Sequence, residues 1–214
     1  MTAGDFMANT PIDFLLEDSD ATLLLRYVDA GTKDLDDVPS HDIAFVAVGE
    51  SEANRPVLEN LERLLRDWSG PILNGAPRRI MALTRDGVAQ AFAEEPSILA
   101  PPAVPVARDV LQKLAAGQLG LDALLPGHAY PVIVRPLGTH AGDGMEKIAG
   151  QKDLAAYLAV RQEPQYYIAP FIDYSGPDGL FRKQRIAIID GEAFASHLAI
   201  SDHWMVHYLS LIHI

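Results

Sequence analysis

Residues 130–147 read Tyr-Pro-Val-Ile-Val-Arg-Pro-Leu-Gly-Thr-His-Ala-Gly-Asp-Gly-Met-Glu-Lys and carry the strongest chemical signal in the chain. An apolar run ends in a cation, Arg135, and glycines follow at 138, 142 and 144. Phosphate groups suit that combination. Glycines let backbone N–H groups approach oxygens closely, and a fixed cation neutralises charge. The segment is not a Walker A loop, because no Gly-Lys-Ser/Thr follows, and it lacks the G-x-G-x-x-G of a dinucleotide fold. Taken alone, a glycine-rich turn between strands also reads as a tight hairpin.

A second group of charges lies at Arg182, Lys183 and Arg185, within an expected strand over residues 179–189. On a regular strand Arg185 shares a face with Lys183 and opposes Arg182. Such charges are ordinary on a solvated edge. The flanking apolar run 186–189 reads instead as buried.

These residues need elements to position them. Residues 12–16 and 21–28 read as short strands and 29–40 as a loop. The run 43–48, Ile-Ala-Phe-Val-Ala-Val, reads as a strand buried on both faces. A helix follows, with Pro56 in its first turn and Val57, Leu58, Leu61, Leu64, Leu65 and Trp68 at helical spacing. It ends at Gly70-Pro71. A strand at 71–73, a helix over 76–92 with a break near Thr84, and a strand at 104–107 complete an α/β pattern. A helix capped by Asp109 runs over 109–116. Then come strands at 130–134, 165–173, 179–189 and 193–200, with a helix at 153–160 and a turn at Asp190-Gly191.

This order resembles the ATP-grasp superfamily. The resemblance covers residues 109–208 and rests on "YPVIVRP", "GTHAGDG", "YYIAPFID" and "FRKQRIAIIDGEAFASHLAIS". The fold it implies is α/β plus α+β: a small Rossmann-like pre-ATP-grasp domain at 1–108, then an ATP-grasp domain at 109–208 that is incomplete. By resemblance, Arg135 falls where the family usually has a lysine on the α- and β-phosphates. Arginine keeps the charge but offers a planar fork in place of a compact ammonium. Gly138, His140, Gly142 and Gly144 fall on the loop covering the phosphates. Ala169, Pro170, Phe171 and Ile172 fall on the strand whose backbone meets adenine. Arg185 falls near a strand cation that in some members reaches the γ-phosphate or an acyl phosphate. The implied activity is ATP-dependent ligation, in which a carboxylate is activated as an acyl phosphate for an amine or thiol. The implied cofactors are ATP and magnesium, the metal ligands lying beyond residue 201. A non-catalytic nucleotide-binding regulatory module and a kinase-like phosphotransferase remain alternatives.

Residues 209–214, Leu-Ser-Leu-Ile-His-Ile, are what a common sequencing-library transposon end encodes in one frame. Read-through is expected there, against the alternative of a genuine apolar terminal strand. A fragment lacking the metal-binding end is expected to be inactive.

Composition narrows the field further. The net charge is -12, which disfavours nucleic acid as a partner and leaves small molecules. There is no cysteine, so disulfides and thiolate metal sites are excluded. The N-terminus is not a secretory signal, and no apolar run is long enough to span a bilayer; a cytoplasmic protein is expected. His203 and His207 are four apart, but without H-E-x-x-H they read as packing or substrate-contact residues. Ser201, Asp202 and His203 are too close in sequence to form a catalytic triad.

Overall fold

The computed structural model describes residues 1–4, 8–139, 142–189 and 191–206. His140, Asp190, His207 and the terminal hexapeptide therefore lie outside the described residues. The chain is a mixed α/β structure that divides into two units, Met1–Ala100 and Pro101–Ile214.

In the first unit the 43–48 run is buried from Val46 to Val48 and at Ala44, with Val46 and Val48 almost fully enclosed, whereas Ile43 is 53% exposed. Only Ala44–Phe45 (β1) forms a regular strand, parallel to Ile72–Leu73 (β2). Its other edge is filled by the N-terminus: the Met1 ammonium donates to Phe45 O at 2.7 Å, and Ala47 N donates to Met1 O at 2.9 Å. Gly49 N donates to Ala8 O at 2.8 Å, and a Cβ at Gly49 would sit 2.8 Å from that same oxygen. Only glycine permits so close a backbone approach.

The segment 12–16 departs from expectation. Ile12–Leu15 is a short helix (α1) rather than a strand, with Pro11 before it and Asp13 in its first turn. A run this short has no decisive periodicity, and flanking residues settle it. Residues 21–28 form no strand either; a single parallel bridge joins Thr2 to Tyr27. The helix Arg55–Leu64 (α2) carries Pro56 in its first turn and buries Leu58 and Leu61, three apart on one face. The next helical stretch breaks where Thr84 predicts. Pro77–Met81 (α3) ends, and Arg85–Ala91 (α4) begins with Thr84 Oγ1 accepting from Gly87 N at 3.1 Å.

The second unit opens with Val104–Ala107 (β3), which pairs antiparallel with Gln165–Pro170 (β6) and not with the first unit's sheet. The helix Arg108–Ala115 (α5) starts one residue before Asp109, and its N-cap Ala107 makes no side-chain bond. Asp109 instead pairs with Lys113 one turn on, at 3.4 Å. Val132–Pro136 (β4), Glu146–Ile148 (β5) and the helix Gln151–Val160 (α6) follow. The sheet order is β3-β6-β4-β5, with every pair antiparallel. One face carries Val132, Val134, Ile148, Tyr166 and Ile168, and it packs on Leu111 and Leu114 of α5 and Leu154, Tyr157 and Leu158 of α6.

Phe181–Ile189 (β7) and Glu192–Ser201 (β8) form a separate two-stranded ribbon, with a bulge between Arg185 and Ile186. Here the sequence misleads. The 186–189 run is exposed, Ile188 at 73%. Apolar content in a strand signals burial only where a second layer exists to cover it.

The turn into β7 is fixed by Asp178. Its carboxylate accepts from Arg182 at 2.5 and 3.0 Å and from Leu180 N at 3.2 Å. The bonds from Arg182, then from the Leu180 amide, hold this carboxyl well below the ordinary 3.8. A depressed carboxyl contributes order that is present above its unfolded value and lost as pH falls through the folded one. Protection of the Leu180 amide is therefore expected to decline progressively below pH 3.8. The acid dependence should flatten in Asp178→Asn, a change checked by amide exchange at that residue. A Leu180 amide whose protection falls identically in the variant removes Asp178 as the cause.

Candidate functional site

Strand alternation sorts the candidate residues before any side-chain contact is considered. Ile133 pairs with Lys147 on β5 and with Ala169 on β6, and Arg135 pairs with Tyr167. Residues paired across a sheet share a face, as do alternate residues of one strand. Arg135, Lys147, Tyr167 and Ala169 therefore occupy the face turned away from α5 and α6. Phe171 continues the register beyond β6, its N–H donating to Pro131 O at 3.1 Å. The structure thus puts Arg135, Ala169 and Phe171 on one face, with the loop that bears Gly138, Gly142 and Gly144 at the Arg135 end and Phe171 at the opposite end.

Arg135 is not the open cation the sequence suggests. It is only 7% exposed, and its guanidinium donates to the Thr139 carbonyl and to Thr139 Oγ1, the latter at 3.1 Å. The hydroxyl of Thr139 in turn contacts Pro136 O at 3.1 Å and Asp143 O at 3.0 Å. The far side of the loop is tied to α6. Tyr157 OH donates to Gly144 O at 2.7 Å, and Arg161 pairs with Asp143 at 3.1 Å. Burial, the largest cause, pushes the Tyr157 hydroxyl well above its usual 10. It stays a donor through the physiological range.

The glycines have conformational reasons. Gly138, Gly142 and Gly144 all have positive φ, at 74°, 81° and 64°. At Gly144 a Cβ would also lie 2.8 Å from Pro136 Cδ and 3.0 Å from Arg161 Cζ, so the loop folds down only because no side chain is there.

The expected adenine strand is partly as drawn. Ala169 and Pro170 end β6, opposite Ile133 and Val132. Phe171 and Ile172 lie past its end. The β3 pairing stops at Ile168, opposite Val104, so residues 169–172 extend beyond β3. Phe171 carries two contacts that sequence reading missed. The Lys147 ammonium sits 3.5 Å from its ring centroid, and Trp204 meets it edge-on at 5.9 Å between centroids. A signal for Lys147 existed in the odd spacing along β5 between it and the core residue Ile148.

Arg185 is on a different sheet from this group. It lies on β7, opposite His197 and beside the bulge, in a sheet that shares no ladder with β4 or β6. His203 is occupied locally: its Nδ1 accepts from Met205 N at 3.2 Å, and its ring is tilted against Trp204. Ser201 Oγ accepts from His203 N at 3.0 Å, which makes it a turn-forming group. Among the described residues no group of three or more His, Asp or Glu is placed to hold a metal ion. No described helix is long and apolar enough to cross a membrane.

No protein-family model matches the chain, and no curated protein matches it. Among solved structures it is similar to the D-alanine–D-alanine ligase of Helicobacter pylori, at 16% identity and a TM-score of 0.40 over 69% of this chain and 40% of that one. It is also similar to the VanG D-Ala:D-Ser ligase of Enterococcus faecalis, at 17% identity and a TM-score of 0.44 over 76% of this chain and 44% of that one. A third similarity is to the D-alanine–D-alanine ligase of Bacillus anthracis, at 12% identity and a TM-score of 0.35 over 79% and 55%. The chain spans between 40% and 55% of the length of these ligases.

Proposed function

We propose that this chain is an ATP-grasp protein whose second unit binds ATP, and that the whole protein is a ligase activating a carboxylate as an acyl phosphate. In that reaction a carboxylate oxygen attacks the γ-phosphorus and ADP leaves. An amine or thiol then attacks the acyl carbon and phosphate leaves. The first unit is read as the pre-ATP-grasp domain.

One observation carries the reading. The sheet face turned away from the helices carries a cationic strand end, Arg135, with a loop of positive-φ glycines at that end and Ala169 and Phe171 toward the other, so an extended ligand along β4 and β6 spans the two. A nucleotide needs donors and positive charge for its phosphates, and an apolar edge for its base. Arg135 serves this arrangement by holding the loop through Thr139.

A fluorescent ATP analogue, titrated with and without excess ATP, tests the proposal. Binding that ATP displaces is expected, and Arg135→Ala is expected to weaken it about tenfold, equivalent to about 1.4 kcal/mol. A chain that shows no displaceable binding up to about 1 mM, the weakest affinity worth assigning, sinks the nucleotide reading.

A further inference from the structure

We propose that Lys147 is the side chain that meets the nucleotide's phosphates directly, and that Phe171 holds its ammonium when the face is empty. This rests on the nucleotide reading above and extends it to a residue that the family resemblance did not supply.

The argument starts from which cation is available. Arg135 is buried and committed to Thr139. Lys147 is exposed, one row away on the same sheet face. From β5 its side chain crosses the strand position of Ile133 and ends over the ring of Phe171, past the end of β6. The ammonium thus stands at the Phe171 end of this face, away from the glycine loop, and its flexible stem can swing back along the face toward an anionic group attached to a base lying at residues 169–171.

The contact that holds it there is a weak one. A cation over the face of a phenylalanine at an exposed site is attracted less strongly than a cation hydrogen-bonded to phosphate oxygens. Phosphate can therefore draw the ammonium off the ring at little cost. One competing charge is Asp173, whose carboxyl is held low chiefly by Ser175 and, to a lesser degree, by the positive charge of Lys147. Asp173 is already satisfied by the Ser175 amide and hydroxyl at 3.0 and 2.7 Å, which leaves the ammonium for an incoming anion.

The environment supplies its own reporter. Trp204 lies edge-on to Phe171 on the ring that the ammonium covers. In a Trp68→Phe background Trp204 is the sole tryptophan, since the chain has two. Its emission is expected to change more when ATP is added than when adenosine is added, because only ATP draws the ammonium off the Phe171 ring.

The test compares ATP and adenosine as ligands of the wild-type chain, Lys147→Met and Lys147→Arg. Lys147→Met is expected to weaken ATP at least about tenfold, as loss of one charge-assisted contact implies. Its adenosine affinity should be unchanged. Lys147→Arg should recover most of the ATP affinity, because it restores the charge. If Lys147→Met binds ATP as the wild type does, the proposal is overturned while the nucleotide reading stands. If the wild type binds no ATP, both are overturned. Because Lys147 is exposed and its far-UV spectrum can be compared with wild type, loss of fold is separable from loss of contact.

Discussion

Leu154→Ala is expected to destabilise the second unit by about 3 kcal/mol. Leu154 is fully enclosed on α6, where it faces the sheet with Tyr157 and Leu158 and meets Leu111 and Leu114 of α5. The core here is one layer of two helices on four strands. Removing a side chain from its centre costs the lost transfer of apolar atoms and leaves a cavity that neighbouring strands cannot close. The measurement is chemical denaturation followed at Trp204 in the Trp68→Phe background. The midpoint should fall with an unchanged slope, because the area exposed on unfolding is nearly the same. A cost below about 1 kcal/mol, typical of an exposed substitution, means that Leu154 is not in a packed core.

Arg108→Met is expected to cost the same unit roughly 2–3 kcal/mol, through polar groups rather than a cavity. The Arg108 guanidinium donates to the carbonyls of Leu158 and Arg161 at the end of α6, and to Tyr166 OH at 3.1 Å. The last carbonyls of a helix have no partner within it, and a cation there satisfies them while complementing the helix dipole. Tyr166 passes the chain on by donating to Glu163 at 3.2 Å. Methionine keeps the stem's apolar contacts but removes every donor, so the effect isolates hydrogen bonding from packing. Tyr166→Phe, made in the wild-type chain and in the Arg108→Met variant, provides the check. Its cost should shrink in the Arg108→Met variant, because one partner is already gone. Equal costs in both backgrounds would break the proposed connection between Arg108 and Tyr166.

Much of the second unit is legible because its elements obey one rule each. The runs at 132–136 and 165–170 are strands, and Leu154, Tyr157 and Leu158 mark the inner face of α6. In the first unit Pro56 and Thr84 mark helix starts, since proline suits a first turn and threonine caps one. Residues 12–16 mislead because four apolar-rich positions fit either period. The β7–β8 ribbon shows a different limit. Composition says that a segment can be buried, but not whether another layer is present to bury it. The candidate site is legible as a set of residue types and not as a geometry. Nothing in the order Arg-Pro-Leu-Gly-Thr says that Thr139 turns back to occupy the guanidinium, nor that Lys147 crosses a strand to reach Phe171.

The loop between β4 and β5 is latched by polar contacts on both flanks: Thr139 on one side, Tyr157 and Arg161 on the other. If the Thr139 and Tyr157 contacts each contribute about 1 kcal/mol net, the latched arrangement outnumbers a lifted one by roughly thirtyfold. Any molecule that had to raise the loop to enter would show an apparent affinity lower than its intrinsic one by that same ratio. Slow entry followed by tight retention is the kinetic behaviour that such a latch imposes.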